Sequence, residues 1–189
     1  MGFWFLYSHY YCTPHIQFNM FKRVFWFTLG GLAALIGLFF LAGNYADVQY
    51  SGSRSEVINA PIEKVWQLIS DTQGFSASRH EVASVEMLGT NASGFAKWNE
   101  HTNLGGVIAL EIIDQKPLEF IEVRMNESGF GMKGTWKYAF EAEGAQTKVT
   151  ITENSSTEGL VMRSILNLLG RDANMGLHLK AIKKGVQAI

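Results

Sequence analysis

The chain has 189 residues and a formal net charge of −1, from 16 basic and 17 acidic residues. This near-neutral balance gives no basic stripe of the kind that binds nucleic acid, so no nucleic-acid partner is predicted. The only cysteine is Cys12, which excludes a disulfide framework, a cysteine-based metal site and a cysteine nucleophile from the rest of the chain. No acidic residue precedes Asp47, so an apolar N-terminal part is followed by a mildly acidic C-terminal part.

The N-terminal part begins with an aromatic arm. Residues 1–19 are rich in Phe, Tyr and Trp but show neither a helical nor a strand period. Met20 is followed by Lys22, Arg23 and then a long apolar run, which is how many membrane-targeted proteins begin. We therefore expect either that Met20 is the biological start or that the arm lies on a membrane surface.

The apolar run is predicted to cross a membrane. Val24 to Gly43 contain no charged residue, and as a helix these residues rise roughly 30 Å, about the thickness of a bilayer core. A cleaved signal peptide has a shorter apolar region, so residues 20–46 are interpreted as an uncleaved single-pass anchor. Lys22 and Arg23 precede the run, which predicts a cytoplasmic N-terminus and a periplasmic or extracellular C-terminal domain.

The C-terminal domain begins after a short polar tether, predicted at residues 47–52, and occupies residues 53–189. Its first clear signal is VINAPIEKVWQLISD, residues 57–71, which indicates a short strand leading directly into a helix. Pro61 suits the first helical turn, where an amide hydrogen would have no partner. Four apolar residues then recur at the spacing of one helix face: Ile62, Val65, Trp66 and Ile69.

The middle of the domain predicts consecutive strands. Apolar and polar residues alternate in six segments separated by turn residues: 83–87, 96–102, 108–112, 121–125, 132–140 and 149–153. This pattern is typical of an antiparallel meander with one apolar face. A helix is predicted from about Glu158 to Gln187. Asp172 interrupts its apolar stripe, so either the helix breaks at Gly170 and Asp172 caps the second half, or a carboxylate points into an apolar space.

These elements resemble the START/birch-pollen-allergen superfamily, and specifically its polyketide cyclase/dehydrase-like (SRPBCC) branch. The resemblance covers about residues 53–189, and four segments carry it: VINAPIEKVWQLISD, TQGFSASR, the turn DQKP at 114–117, and LNLLGRDANMGLHLKAIKKG. It implies an α+β helix-grip fold, in which a curved antiparallel β-sheet wraps around a long C-terminal helix. The transmembrane helix is an addition to that fold.

The resemblance also implies an apolar cavity between the sheet and the closing helix. The side chains expected to line it and bind ligand are Trp66, Trp98, Leu110, Met125, Trp136, Phe140, Ile165, Leu168, Met175 and Leu179.

Three polar residues on strand faces are candidate catalytic groups: Glu100, Tyr138 and Glu153. A carboxylate on a cavity face is costly unless it is paired or hydrated, and its pKa tends to rise. Such a group would serve as a general acid or base, or as an anchor for a ligand headgroup. The alternative interpretation is that these strand ends are solvated and that Tyr138 is a core aromatic.

Other kinds of chemistry find no support in the sequence. The domain's histidines have no metal-ligand spacing with one another or with acidic residues, so no metal and no cofactor are predicted. A serine-hydrolase elbow is also missing.

The leading prediction is a membrane-anchored protein that binds a hydrophobic small molecule or lipid in an internal cavity, with binding favoured over catalysis and catalysis left open. The second prediction is a cyclase/dehydratase-type enzyme that uses Glu100, Tyr138 or Glu153. The third is an interaction module with a filled core. Cavity volume separates the third from the first two, since a ligand pocket needs roughly 300 Å³ or more.

Overall fold

A computed structural model describes residues 14–188, with side chains from Met20 onward. Cys12 and most of the predicted aromatic arm therefore lie outside the described residues. The chain divides into two compact units, Met1–Phe39 and Phe40–Ile189.

The first helix, α1, runs from Pro14 to Tyr45. It begins ten residues before the predicted apolar run and ends two residues after it. From Met20 to Tyr45 it is long and apolar enough to cross a membrane, as judged by length and composition. The side chains from Met20 to Leu38 are exposed, a condition that the hydrophobic effect disfavours in water.

Seven strands form one antiparallel sheet in the order β1-β7-β6-β5-β4-β3-β2. Strands β2 to β7 follow one another as the predicted meander, and β1 closes the order by pairing with β7. The strands are β1 (Gln49–Ile58), β2 (Val82–Thr90), β3 (Ala96–Thr102), β4 (Val107–Lys116), β5 (Phe120–Ser128), β6 (Met132–Glu143) and β7 (Gln146–Thr157). Register shifts in the β2–β3 and β4–β5 pairs mark bulges, which bend strands and increase sheet twist.

Strand β1 begins earlier than the sequence indicates. It starts at Gln49, inside the stretch predicted as a tether. The segment SGSRSE carries small and polar residues on both faces, so it lacks the apolar alternation by which a strand is recognised. Its structure comes from backbone pairing with β7, which is continuous from Gln49–Ser156 to Ile58–Thr147.

Four further helices complete the second unit: α2 (Ile62–Ser70), α3 (Thr72–Ala77), α4 (Leu160–Leu169) and α5 (Ala173–Gly185). Helix α2 confirms the predicted amphipathic helix, with Pro61 at its N-cap. It packs on β6 and β7, while α5 packs on β1, β7 and α2. The buried apolar core therefore lies between one face of the sheet and helices α2 and α5.

The predicted C-terminal helix is divided into two helices, so the expectation of one long helix is corrected and the open alternative of a break at Gly170 is confirmed. The helix ends at Leu169 and restarts at Ala173, and Gly170 between them has φ of 97°, a backbone conformation that glycine adopts far more readily than other residues. Asp172 stands at the N-cap of α5 without making a cap hydrogen bond, and its carboxylate pairs with Arg54 at 2.9 Å. Because the break redirects the chain, the apolar stripe does not continue from α4 into α5.

A candidate ligand cavity with a buried polar quartet

A cavity of about 480 Å³ lies between the sheet and the helices of the second unit. Its wall is mostly apolar and comes from strands β2 to β6, from half of the residues of α3, and from a few residues of α2, α4 and α5. The volume exceeds the roughly 300 Å³ at which ligand pockets begin. The expectation of an internal cavity is therefore met, and a completely filled interior does not describe this domain.

Four polar side chains on the wall form one network, which we call the polar quartet: Arg79, Glu100, Tyr138 and His178. Each comes from a different place in the chain, namely the turn after α3, strand β3, strand β6 and helix α5. Arg79 and Glu100 are 9% and 3% exposed, and they form an ion pair through Nη2 and Oε2. The indole Nε1 of Trp98 donates to the other carboxylate oxygen of Glu100 at 3.3 Å. The two buried charges thus satisfy each other, which burial in an apolar wall requires.

His178 connects the ion pair to Tyr138. Its Nε2 lies 2.6 Å from Nη1 of Arg79, and its Nδ1 lies 2.5 Å from the Tyr138 hydroxyl. A guanidinium group can only donate, so Nε2 must accept, and the proton of the neutral imidazole is then on Nδ1. Nδ1 donates that proton to the Tyr138 oxygen. The phenolic hydrogen of Tyr138 is therefore left for an acceptor in the cavity.

The electrostatics of the site keep both groups neutral. Burial, and then the nearby charge of Arg79, holds the pKa of His178 well below its ordinary value of 6.5. Burial also raises the pKa of Tyr138, so its hydroxyl stays protonated. Arg79 Nε has no hydrogen-bond partner among the described residues, and Glu81 Oε1 lies 3.7 Å from it. The donor that the network leaves free on the wall is therefore Tyr138 O–H.

The structure places the predicted apolar site residues in three groups. Those on the cavity wall are Trp98, Leu110, Met125 and Trp136. Those within the core cluster or against it, but not on the wall, are Trp66, Phe140, Met175 and Leu179. Ile165 and Leu168 lie on the outer side of α4, half-buried and exposed respectively, because the helix break at Gly170 removes them from the stripe that α5 turns toward the sheet.

The three candidate polar residues also occupy different environments. Glu100 and Tyr138 are on the wall, while Glu153 is not. Glu153 is buried beside Ser155, whose hydroxyl donates to Oε1 at 2.5 Å, and Oε2 has no partner among the described residues. Burial raises the pKa of Glu153. The alternative of solvated strand ends is wrong for both carboxylates, since each is almost wholly buried.

Two members of the quartet were not candidates from the sequence. Arg79 lies within the TQGFSASR segment that supports the family resemblance, and His178 was considered only as a metal ligand. Arg79 and His178 are 99 residues apart, and Tyr138 and His178 are 40 apart. Contacts between residues so far apart in the chain leave no pattern of spacing in the sequence. A sequence signal does exist in retrospect, since His178 lies among the apolar and small residues of α5, where a polar side chain needs a partner.

The fold and the cavity define a START-like α+β protein that encloses an apolar space. The chain belongs to the family described as polyketide cyclase / dehydrase and lipid transport, whose profile matches residues 49–187. No curated protein sequence gives a match.

Solved structures are similar to the second unit. The Zhui aromatase/cyclase from a Streptomyces species superposes with a TM-score of 0.63 at 15% identity, covering 74% of this chain and 94% of that one. A START superfamily protein from Mycobacterium smegmatis superposes with a TM-score of 0.63 at 13% identity, covering 73% of this chain and 97% of that one. A conserved protein from Geobacillus kaustophilus superposes with a TM-score of 0.61 at 20% identity, covering 74% of this chain and 96% of that one. At these identities the likeness establishes the fold alone.

Proposed function

We propose that the protein is a membrane-anchored binding protein for a hydrophobic small molecule or lipid that carries an oxygen acceptor. The observation that carries this proposal is the cavity of about 480 Å³, whose apolar wall is interrupted by the polar quartet. Apolar burial supplies affinity, at roughly 25 cal/mol for each Å² removed from water. The Tyr138 O–H donor would orient the ligand by its carbonyl, carboxyl or ether oxygen.

The anchor is the second part of the proposal. The stretch Met20–Tyr45 of α1 would cross the bilayer once, and Lys22 and Arg23 before the apolar run favour a cytoplasmic N-terminus. The cavity domain would then face the periplasm or the extracellular space. A reporter that is active only in the cytoplasm should stay silent when fused after Ile189, and activity there would reverse this orientation.

A second candidate function is a cyclase/dehydratase-type enzyme, and the hydrogen-bond direction within the quartet favours it. A neutral Tyr138 hydroxyl that is polarised by His178 and Arg79 can donate to a substrate carbonyl and stabilise negative charge developing there. Glu100 is occupied by Arg79, and both nitrogens of His178 are engaged. The acid role therefore suits Tyr138 better than Glu100. Conversion of a polyketone by the protein, with loss of conversion in Tyr138→Phe, would establish this function.

Native mass spectrometry of the gently purified full chain, released from detergent micelles, tests the binding function. We expect a co-purified apolar ligand, and after its removal we expect adducts with an added long-chain methyl ketone and with the alkane of the same length. Tyr138→Phe should weaken the ketone adduct roughly fivefold, the equivalent of about 1 kcal/mol for one hydrogen bond. The alkane adduct should not change, because an alkane accepts no hydrogen bond.

The matched control is Tyr50→Phe, which removes a hydroxyl outside the cavity wall. It should leave both adducts at the level of the unaltered protein. Equal loss of ketone and alkane adducts in Tyr138→Phe would point to a damaged fold, and no adduct with either compound in the unaltered protein would contradict ligand binding itself.

A further inference from the structure

Helix α4 presents an apolar side that no described residue covers. Val161, Leu168 and Leu169 are 54%, 65% and 71% exposed, and Ile165 between them is half-buried. These positions are three or four residues apart, or adjacent at the end of the helix, so they form one strip along it. The strip contains no charged or polar side chain. In water such a strip is unfavourable, because it keeps several large aliphatic side chains hydrated.

Another side of α4 contacts the end of the apolar run of α1. The Nε of Arg163 donates to the carbonyl oxygen of Gly43 at 2.6 Å. A Cβ on Gly43 would come within 1.9 Å of Ser164 Oγ, so only glycine permits this approach. Gly43 is the last residue of the predicted apolar run, and the end of such a run is where a membrane-spanning helix leaves the hydrocarbon. With α1 spanning the bilayer as proposed, this contact would hold α4 near the bilayer surface.

The same helix borders the cavity. Met162, next to Val161 in the chain, is on the cavity wall. The most exposed apolar wall residues are Leu104, in the β3–β4 turn, and Leu177 of α5, at 84% and 40% exposure. They mark where the cavity opens. One helix thus contributes to the anchor contact, the apolar strip and the cavity wall.

We propose that α4 lies in the bilayer surface, with the strip Val161, Ile165, Leu168 and Leu169 immersed at the boundary between headgroups and acyl chains, and that the cavity takes its ligand directly from the membrane. A short amphipathic helix binds a membrane in this way when its apolar face is buried at that boundary. This inference rests on the proposed anchoring by α1. It narrows the ligand class to molecules that partition into lipid, and it excludes water-soluble ones.

The test uses the full chain with Cys12→Ser and a single new cysteine, Leu168→Cys, carrying an environment-sensitive fluorophore. The protein is reconstituted in phosphatidylcholine vesicles containing lipids that are brominated near the headgroup end of the acyl chain. We expect strong quenching of this fluorophore. Leu169→Cys serves as a second labelling position, because it is equally exposed and its substitution does not disturb the core.

The matched control is Glu143→Cys, labelled in the same way. Glu143 pairs with Gln146 at one end of the β6–β7 hairpin, while Thr157, just before α4, is at the other end. Twelve residues of strand separate the two ends, a distance of roughly 35 to 40 Å. The fluorophore at this position should not be quenched by the brominated lipid.

Vesicle flotation and resistance to extraction by alkaline carbonate test anchoring by α1 separately from the docking of α4 on the bilayer. If the protein floats and resists extraction, but labels at positions 168 and 169 are quenched no more than the label at 143, anchoring stands and the docking of α4 is overturned. If the protein does not float at all, anchoring by α1 and the inference that rests on it are both overturned.

A second measurement addresses ligand uptake. The double variant Leu168→Glu with Leu169→Glu should slow the transfer of a fluorescent fatty acid from vesicles to the cavity several-fold. Asn167→Glu, which adds one negative charge at an exposed position next to Leu168 in the chain, should not. Equal transfer rates in all three proteins would overturn direct uptake from the membrane.

Discussion

His178 determines the state of the polar quartet, because it accepts from Arg79 and donates to Tyr138. Only the neutral imidazole can do both. Protonation would place an N–H on Nε2, facing the donor of Arg79 at 2.6 Å, and would put two positive charges side by side. The quartet therefore has a built-in sensitivity to acid.

The first prediction concerns this sensitivity. The pKa of His178 is well below 6.5 in the folded state, so below about pH 6.5 the unfolded chain binds a proton that the folded chain does not. The free energy of unfolding must then fall as the pH falls, by up to about 1.4 kcal/mol per pH unit. His178→Gln removes this dependence.

The measurement is urea unfolding of the full chain in detergent micelles, monitored by tryptophan fluorescence at several pH values within about one pH unit of the ordinary histidine pKa of about 6.5. Glu153 has a raised pKa in the folded state, so it contributes the opposite slope, a gain of stability as the pH falls. Comparison with His178→Gln cancels that contribution. Parallel pH profiles for the two proteins would contradict the assignment of His178 as a buried neutral group.

At the scale of elements, two methionines that the sequence treats alike have different environments. Met125 on β5 lines the cavity, whereas Met175 on α5 is fully buried in the core cluster away from it. Both were expected to line the cavity. The difference arises because the break at Gly170 fixes the rotation of α5, and this directs Met175 into packed core.

The second prediction compares Met175→Ala with Met125→Ala. Truncation in packed core leaves a new void, so Met175→Ala should lower the free energy of unfolding by about 2–5 kcal/mol. Met125→Ala only enlarges an existing hollow and should cost about 1 kcal/mol or less, because less packing is lost. Urea unfolding of both variants measures the difference. Equal costs, or a larger cost for Met125→Ala, would contradict the position of the cavity.

Much of the second unit is predictable from the sequence because its signals are local. The six alternating segments and the helix that follows Pro61 are all in place. The early start of β1 is not predictable, since its residues gain structure only by pairing with β7. The division of the last helix was one of two open alternatives, and only the backbone at Gly170 decides between them.

The candidate site is less predictable than the fold. Alternation places Glu100 and Tyr138 on an inward strand face, which is correct, but their partners lie elsewhere in the chain, Arg79 in the turn after α3 and His178 on α5. Ile165 and Leu168 were predicted to line the cavity but lie on the outer side of α4. Apolar periodicity indicates that a helix face avoids water, but it does not say whether protein core or lipid covers that face.

For the whole molecule, the central claim is that a cavity domain on a membrane anchor binds lipid-soluble molecules inside its sheet. Helix α1 is long and apolar enough to span a bilayer, and the second unit encloses the cavity of about 480 Å³. Such binding requires that a molecule dissolved in the membrane reaches residues that are enclosed by protein. Lipid that only surrounds α1 would not reach those enclosed residues.

Photolabelling measures this directly. The full chain in vesicles is illuminated with a long-chain fatty acid carrying a diazirine, and the labelled peptides are identified by mass spectrometry. Labels on α1 are expected in any case and serve as the internal control. The account predicts further labels on wall residues of β4 and β5, such as Leu110 and Met125, and predicts that excess unlabelled fatty acid suppresses these but not the labels on α1. Labels confined to α1, or cavity labels that excess fatty acid does not suppress, would contradict it.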